Sequence, residues 1–115
     1  MNRIIYHMCR LIEWQAAVAA DVYPGSSQDR DDGFIHFSTG SQIEDSARRH
    51  RAGQDGLVLL AVDATALVDA LKWEAARGGQ LFPHLYGPLP ISAVMEVHAL
   101  PLDDNGVHRF PLLED

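Results

Sequence analysis

The segment that most restricts the fold is residues 56–63, GLVLLAVD, because its unbroken apolar run suits a strand that is buried on both faces. Such a strand lies in the centre of a sheet, with other strands beside it. Short β-prone runs at residues 3–7 (RIIYH) and 91–100 (ISAVMEVHAL) are predicted to be strands. Residues 33–39 (GFIHFST) predict another, and residues 72–76 (KWEAA) a further one. The chain therefore has enough strands for a sheet.

Two segments have the apolar spacing of amphipathic helices. Residues 9–20 are rich in alanine and carry Leu11, Trp14 and Val18 at helical spacing. A second helix is predicted from about residue 41 to about residue 53, because the sequence SQIE at its start has the form of a capping box. Both helices would pack an apolar face against the predicted sheet.

The remaining segments are predicted from their turn-forming residues. Residues 64–71 form a short helix capped by Asp63, and residues 23–33 form a polar loop long enough to fold over a pocket. Residues 77–90 contain several turn-forming glycines and prolines, and we expect the part at residues 82–90 (FPHLYGPLP) to be rigid without being helix or strand. Strands and helices alternate without a βαβ rhythm. The fold class is therefore predicted as α+β, with one mixed sheet and two or three helices.

The size and composition of the chain predict one domain. Its 115 residues, of which 47% are hydrophobic and 22% charged, can bury a core. That core is expected at about residues 3–100, with a tail at 101–115. The single cysteine, Cys9, excludes an internal disulfide, and no signal peptide or membrane-spanning run is apparent. These features predict a cytoplasmic protein that does not enter a membrane; they leave its oligomeric state open.

The charge of the chain argues against nucleic acid as a partner. The net charge is -7 and the sequence pI is about 5.2, whereas phosphate backbones attract clustered lysines and arginines. One basic cluster, residues 48–51 (RRHR), is an exception. It is flanked by Glu44, Asp45 and Asp55, so we expect it to form a solvated helix face.

Strand alternation brings three polar side chains of the first half of the chain together. In residues 33–39, His36 and Ser38 point to the same face because strand side chains alternate. His7 lies at the end of the first predicted strand. If the two strands are neighbours, these three side chains form one polar patch on the sheet. The alternative for each histidine is a purely structural role with satisfied hydrogen bonds.

A second group of candidate residues lies in the later half of the chain. The rigid sequence FPHLYGPLP would hold His84 and Tyr86 in fixed directions, and a tyrosine ring can stack on a base or a nicotinamide. Glu74 can stabilise positive charge at an anomeric carbon, and Arg77 can bind a diphosphate. The alternatives are a packed turn for the first pair and solvated surface residues for the second.

Taken in order, IYH, GFIHFST, LVLLAVD, WE, RGG and FPHLYGPLP form a pattern that resembles the family DUF952, small bacterial proteins of unknown function. The resemblance covers residues 4–100. It implies a compact relative of the ADP-ribosyltransferase fold, a split mixed sheet whose cleft accepts NAD. Matching the motifs, His7 would contact the adenosine-side ribose, and Ser38 with Thr39 would shape the nicotinamide pocket. The resemblance also implies a stacking role for Tyr86, whereas the motif around Glu74 does not match the acidic element expected late in that fold.

Three functions follow as hypotheses. The first is an NAD-using enzyme that transfers ADP-ribose or cleaves the nicotinamide–ribose bond. Its catalytic candidates are His7, His36 and Glu74, and its binding candidates are Ser38, Thr39, Arg77, His84 and Tyr86. The second is a binding module for a small nucleotide or sugar metabolite, without turnover. The third is a metal site made by the three histidines His7, His36 and His84; their spacing is not a local metal motif, so no metal is expected.

Overall fold

The computed structural model describes residues 3–114, with Arg77 described by its backbone alone, and has an α+β fold of a single domain with three α-helices. The class predicted from the sequence is confirmed. The helices and strands in chain order are β1 Ile4–Arg10, α1 Leu11–Ala20, β2 Val22–Tyr23, α2 Ser27–Asp32, β3 Ile35–His36, α3 Ile43–His50, β4 Leu57–Asp63, β5 Leu71–Ala75, β6 Leu81–Leu85, β7 Leu89–Pro90 and β8 Val94–Ala99. Short 3-10 helices lie at Ala64–Leu67, Arg77–Gly79 and Ile91–Ala93.

The strands form three sheets, in the orders β1-β4-β8, β2-β7 and β3-β6-β5. As predicted, the apolar strand β4 is central: it lies between β1 and β8, and its residues 57–62 are buried. Every strand pair in residues 3–114 is antiparallel, so the expectation of one mixed sheet was wrong. Short links such as the one between β5 and β6 permit antiparallel pairing, whereas parallel neighbours need a long crossover.

The sheet β1-β4-β8 separates two hydrophobic clusters. On one face Ile5, Cys9 and Leu60 pack with Tyr23 and Phe37. The other face is covered by α3 and by the C-terminal tail. The hydrophobic cluster on this face consists of Ile4, Tyr6, Met8, Ile43, Ala47, Leu57, Leu59, Ala61 and Leu100, with Phe110 and Leu113 packed against them. The tail therefore packs against the sheet, and Leu102 and His108 form an isolated bridge within it. Both faces of β1 are therefore packed against other parts of the chain.

Two segments differ from the sequence-based expectation. Residues 23–33 were predicted as a loop, but α2 occupies part of them, because Ser26 caps the helix and accepts a hydrogen bond from the backbone N–H of Asp29. The expectation that residues 82–90 are neither helix nor strand was also wrong, because most of β6 and all of β7 lie there. The carbonyl of Pro83 accepts a hydrogen bond from Phe37 N–H at 3.0 Å, so β6 pairs on both sides even though a proline lies within it.

The bounds of other predicted strands and helices differ less from those in the structure. The strand predicted at residues 33–39 is restricted to Ile35–His36, and the helix predicted at 64–71 is a 3-10 turn over Ala64–Leu67. The strand β8 begins only at Val94, after a 3-10 turn. No helix within residues 3–114 has the length and apolar character needed to cross a bilayer.

Candidate functional site

The two three-stranded sheets meet at a single backbone bridge between Tyr6 of β1 and Ser38, which follows β3. Tyr6 N–H donates to the Ser38 carbonyl at 2.8 Å, and Ser38 N–H donates to the Tyr6 carbonyl at 2.9 Å. Within residues 3–114 this bridge is isolated, so the strands separate beyond it. A cleft of about 580 Å³ opens at the separation, lined by side chains from β1, α2, β3, α3 and β6. A cavity of this size can accept a small-molecule ligand.

His7 lies at the point where the strands separate, and its side chain is 3% exposed. Its Nδ1 donates to the main-chain carbonyl of His36 at 2.6 Å, and its Nε2 lies 2.8 Å from the hydroxyl of Tyr23. The neutral tautomer with the proton on Nδ1 satisfies both contacts, since Tyr23 then donates to Nε2. Burial lowers the pKa of His7 and outweighs the nearby Asp29 carboxylate, which raises it. His7 is therefore held neutral and in one orientation.

Tyr23 supports this arrangement from the core. Burial raises the pKa of Tyr23, and the neighbouring Cys9 and Asp29 raise it further, so its hydroxyl keeps its proton. Its ring centroid lies 5.2 Å from that of His7. The tyrosine thus acts as a hydrogen-bond donor to His7 rather than as a base.

Asp29, in α2, is the buried carboxylate of the site, at 3% exposure. One oxygen, Oδ1, lies 2.6 Å from His36 Nδ1, and the other, Oδ2, accepts from Ser26 N–H at 2.8 Å. Oδ2 is also 3.6 Å from His7 Nε2. Burial raises the pKa of Asp29, but the hydrogen bond from His36 and the other donors outweigh it and lower the pKa to about 2. A stable negative charge therefore lies beside both histidines.

His36 is much more accessible than His7, since 40% of its side chain is exposed. Its Nε2 lies 2.9 Å from Asp32 Oδ2, so two carboxylates of α2 hold its two ring nitrogens. The ring of Phe34 lies beside it at a centroid distance of 4.5 Å and stacks on His84 at 4.1 Å. His36 is fixed in position but reaches the solvent in the cleft, where it can contact a ligand.

His84 lines the cleft, but its two polar neighbours do not. Glu74 Oε1 accepts hydrogen bonds from Tyr86 Oη at 2.6 Å and from His84 Nδ1 at 2.7 Å. These hydrogen bonds lower the pKa of Glu74, and the one from Tyr86 has the larger effect. Tyr86 is exposed, with the Lys72 amine 5.1 Å from its ring centroid. Glu74 itself does not line the cleft, and it can influence a ligand there by its hydrogen bond with His84.

The remaining predicted residues differ in their positions. The hydroxyl of Ser38 lies 2.9 Å from that of Ser46, and Ser38 lines the cleft. Thr39 does not line it: its hydroxyl lies 3.2 Å from that of Ser41, and its backbone N–H donates to Gln42. The side chain of Arg77 lies outside the part of the chain that the structure describes. Of the predicted site residues, the structure thus brings His7, His36, Ser38 and His84 to one cleft.

Sequence reasoning missed residues that organise the site. Asp29, Asp32 and Tyr23 lie in or beside the segment expected to be a loop. The spacing of Ser26 and Asp29, typical of a helix N-terminus, is the signal that would have indicated α2. The metal hypothesis gains no support, since residues 3–114 contain no group of three or more His, Cys, Asp or Glu side chains arranged to hold a metal ion.

The fold and the site together define a small α+β domain in which a histidine-lined cleft opens where two antiparallel sheets separate. A family model described as "Protein of unknown function (DUF952)" matches residues 8–97, and the chain belongs to this family, as the sequence motifs predicted. No curated protein matches the chain.

Solved structures similar to this chain include those of protein CC0527 from Caulobacter crescentus. Its X-ray structure is 48% identical over 92% of this chain and 93% of that chain, with a TM-score of 0.89. The X-ray structure of a double mutant of that protein is 47% identical over the same shares, also with a TM-score of 0.89. Its solution NMR structure is 49% identical over 90% of each chain, with a TM-score of 0.81. The relatives share the fold and carry no described activity in their names.

Proposed function

We propose that this protein is a cytoplasmic NAD-using enzyme that transfers ADP-ribose or cleaves the nicotinamide–ribose bond in the cleft beyond the Tyr6–Ser38 bridge. The observation that carries the proposal is the separation of β1 from β3, with His7 on one strand and His36 on the other. A split sheet with a histidine on its first strand is what the resemblance to the ADP-ribosyltransferase fold implies for an NAD cleft. The cleft volume of about 580 Å³ suits a ligand of nucleotide size.

The charges of the cleft suit the reaction. When the N-glycosidic bond of NAD breaks, its electron pair moves to the nicotinamide ring nitrogen, and positive charge develops at the ribose anomeric carbon. The carboxylates of Asp29 and Asp32 provide fixed negative charge in the cleft that can stabilise it. Water or another acceptor then bonds to that carbon and releases its proton to the solvent.

The histidines have different roles in this proposal. His36 is accessible in the cleft, so we assign it the contact with the ribose or the acceptor hydroxyl. His7 is buried and neutral, and it keeps the backbone of His36 in place. Glu74 orients His84 by its hydrogen bond to Nδ1, and Tyr86 fixes Glu74 in turn. Ser38 forms the bridge with Tyr6 and lines the cleft.

The test is NAD turnover by the purified full chain. We expect heat of binding on calorimetry and nicotinamide release measured by chromatography. The variant His36→Gln should lower the release by about 100-fold, because it removes a contact to the substrate that Asp29 and Asp32 hold in position. The matched control is His98→Gln, because His98 lies on β8 and contacts Glu96 outside the cleft. The proposal fails if saturating NAD gives neither heat nor nicotinamide.

A second candidate is a binding module that holds a nucleotide or sugar metabolite without turnover. Two observations favour it: both oxygens of Asp29 accept hydrogen bonds within the protein, and Glu74 does not line the cleft. This candidate predicts that ADP-ribose raises the melting temperature, that His36→Gln reduces this effect, and that no nicotinamide forms from NAD. Nicotinamide release with the expected His36 dependence would exclude it.

A further inference from the structure

Arg51 has a position unlike that of the other arginines of the basic cluster. It follows α3 directly and is only partly exposed. Its Nη2 donates to the carbonyl of Met8 at 3.3 Å, and its Nη1 donates to Gln54 Oε1 at 3.2 Å. Both acceptors are uncharged. Among the ion pairs within residues 3–114, none includes Arg51.

Arg48 and Arg49 provide the contrast. Both pair with Asp45 on the exposed side of α3, as expected for a solvated helix face, and neither lines the cleft. Arg51 does line it. The two neutral acceptors of Arg51 replace part of the hydration of this partly buried guanidinium, but neither balances its charge, so its place in a cleft favours an anionic ligand. The expectation that the whole cluster is a solvated face was therefore wrong for Arg51.

Two further cationic or protonatable side chains line the same cleft, Arg10 at the end of β1 and His50 at the end of α3. Arg10 is exposed, and its Nε lies 3.7 Å from Glu13. The carboxylates of Asp29 and Asp32 come instead from α2, whereas Glu13 of α1 lines the cleft beside Arg10 and pairs with it. The cleft therefore combines a basic wall at the ends of β1 and α3, where Glu13 offsets part of the charge, with an acidic wall from α2. Since the whole chain has a net charge of -7, an anion is attracted by this local wall rather than by the overall charge.

We propose that Arg51, assisted by Arg10 and His50, binds the diphosphate group of a nucleotide in the cleft; this assignment rests on the proposed function for the nature of the substrate. A guanidinium has five N–H donors in a fixed plane, and Arg51 uses two of them on Met8 and Gln54. The others remain for phosphate oxygens, which arginine can bind in a bidentate manner. The acidic wall would then face the sugar and the cationic nicotinamide ring.

The test is calorimetric titration of the full chain with inorganic pyrophosphate, ADP and adenosine at fixed ionic strength. We expect ADP and pyrophosphate to bind, and adenosine to bind more weakly than ADP. The variant Arg51→Gln should weaken ADP binding by about tenfold or more, the size of a lost charged hydrogen bond. Arg51→Lys should retain part of the affinity, because it keeps the charge but not the planar donors. Arg49→Gln removes the same charge outside the cleft and should change the affinity less than about twofold.

The outcomes separate this proposal from the proposed function. Arg51→Gln also removes the contact with Met8, so its fold is checked by circular dichroism and thermal unfolding; if it unfolds, Arg51→Lys and Arg10→Gln give the comparison with Arg49→Gln. The diphosphate assignment is overturned if ADP and pyrophosphate do not bind, or if the cleft variants bind ADP as wild type does. If diphosphate binding depends on Arg51 but no nicotinamide is released from NAD, the diphosphate subsite stands and the proposed enzymatic activity is refuted.

Discussion

The imidazole of His7 donates a hydrogen bond to the main-chain carbonyl of His36 at 2.6 Å, across the gap where β1 separates from β3. The Tyr6–Ser38 bridge is the last backbone pair before this gap. The side chain of His7 thus takes the place of the next backbone hydrogen bond between β1 and β3. Because the backbone of His36 is held in this way, the stability of the fold and the geometry of the cleft depend on the same contact.

The buried hydroxyl of Tyr23 should contribute measurably to stability. It is the donor to His7 Nε2 at 2.8 Å, so Tyr23→Phe leaves a buried acceptor without its partner. We expect the free energy of unfolding to fall by about 1–2 kcal/mol, measured by urea denaturation. A double-mutant cycle with His7→Gln should show coupling between the two residues.

The matched control is Tyr86→Phe. The hydroxyl of Tyr86 also donates to a side chain, Glu74, but it is exposed. Water can replace this bond, so the loss should be under about 0.5 kcal/mol. Equal losses for the two tyrosines, or additive effects of Tyr23→Phe and His7→Gln, would contradict the role given to the buried contact.

Part of this fold and site follows from the sequence because it depends on local periodicity. The apolar run of β4 predicts a central strand, and the period of two places His36 and Ser38 on one face. The polar helix α2 has no apolar face, so periodicity could not indicate it. It is held by its cap and by the long-range contact of Asp29 with His36. Glu74 lies outside the cleft because β5 is the strand farthest from β3 in the sheet β3-β6-β5, an order that no local pattern specifies.

The carboxylate of Asp29 should govern part of the acid stability. Its pKa is about 2 in the folded chain and 3.8 ordinarily, so the unfolded state binds more protons between these values. The stabilisation is complete above about pH 4 and is lost as the pH falls toward 2. We expect wild type to lose about 2 kcal/mol of unfolding free energy through this group over that range.

The measurement is urea denaturation at several pH values for wild type and two variants. Asp29→Asn should be less stable than wild type at neutral pH and should lose less stability between pH 4 and pH 2. Asp31→Asn is the control, because it removes an exposed carboxylate from the same helix. If the Asp29→Asn and wild-type curves remain parallel over this range, Asp29 is not the group responsible.

The thiol of Cys9 should be unreactive in the folded protein. Burial and, to a lesser extent, the nearby carboxylate of Glu13 raise the pKa of Cys9 to about 12, so the nucleophilic thiolate is almost absent at pH 8. We expect labelling by a disulfide reagent to be limited by unfolding or local opening, whereas the chain in denaturant should react fully and at once. The variant Cys9→Ser provides the blank. Complete labelling of the native protein within seconds would show that the thiol is accessible.

The close approach of Gly25 to Asp29 gives a test of how the acidic wall is positioned. Gly25 has a φ of +94°, and a Cβ built there would lie 2.8 Å from the Cβ of Asp29 and 3.2 Å from Cγ1 of Ile35. Gly33 has a similar φ of +86° but open space around it. Alanine at either position therefore carries the strain of the left-handed region, about 1–2 kcal/mol, but only Gly25→Ala adds a collision.

We expect Gly25→Ala to be less stable than Gly33→Ala by about 1–3 kcal/mol, the usual cost of overpacking, in urea denaturation. Because the collision displaces Asp29, the imidazole resonances of His36 should also shift in Gly25→Ala and remain near their wild-type positions in Gly33→Ala. Equal stability of the two variants would mean that the chain around Gly25 yields without moving Asp29. Unchanged His36 resonances in a destabilised Gly25→Ala would mean that the contact between Asp29 and His36 survives, and that its geometry does not depend on the glycine.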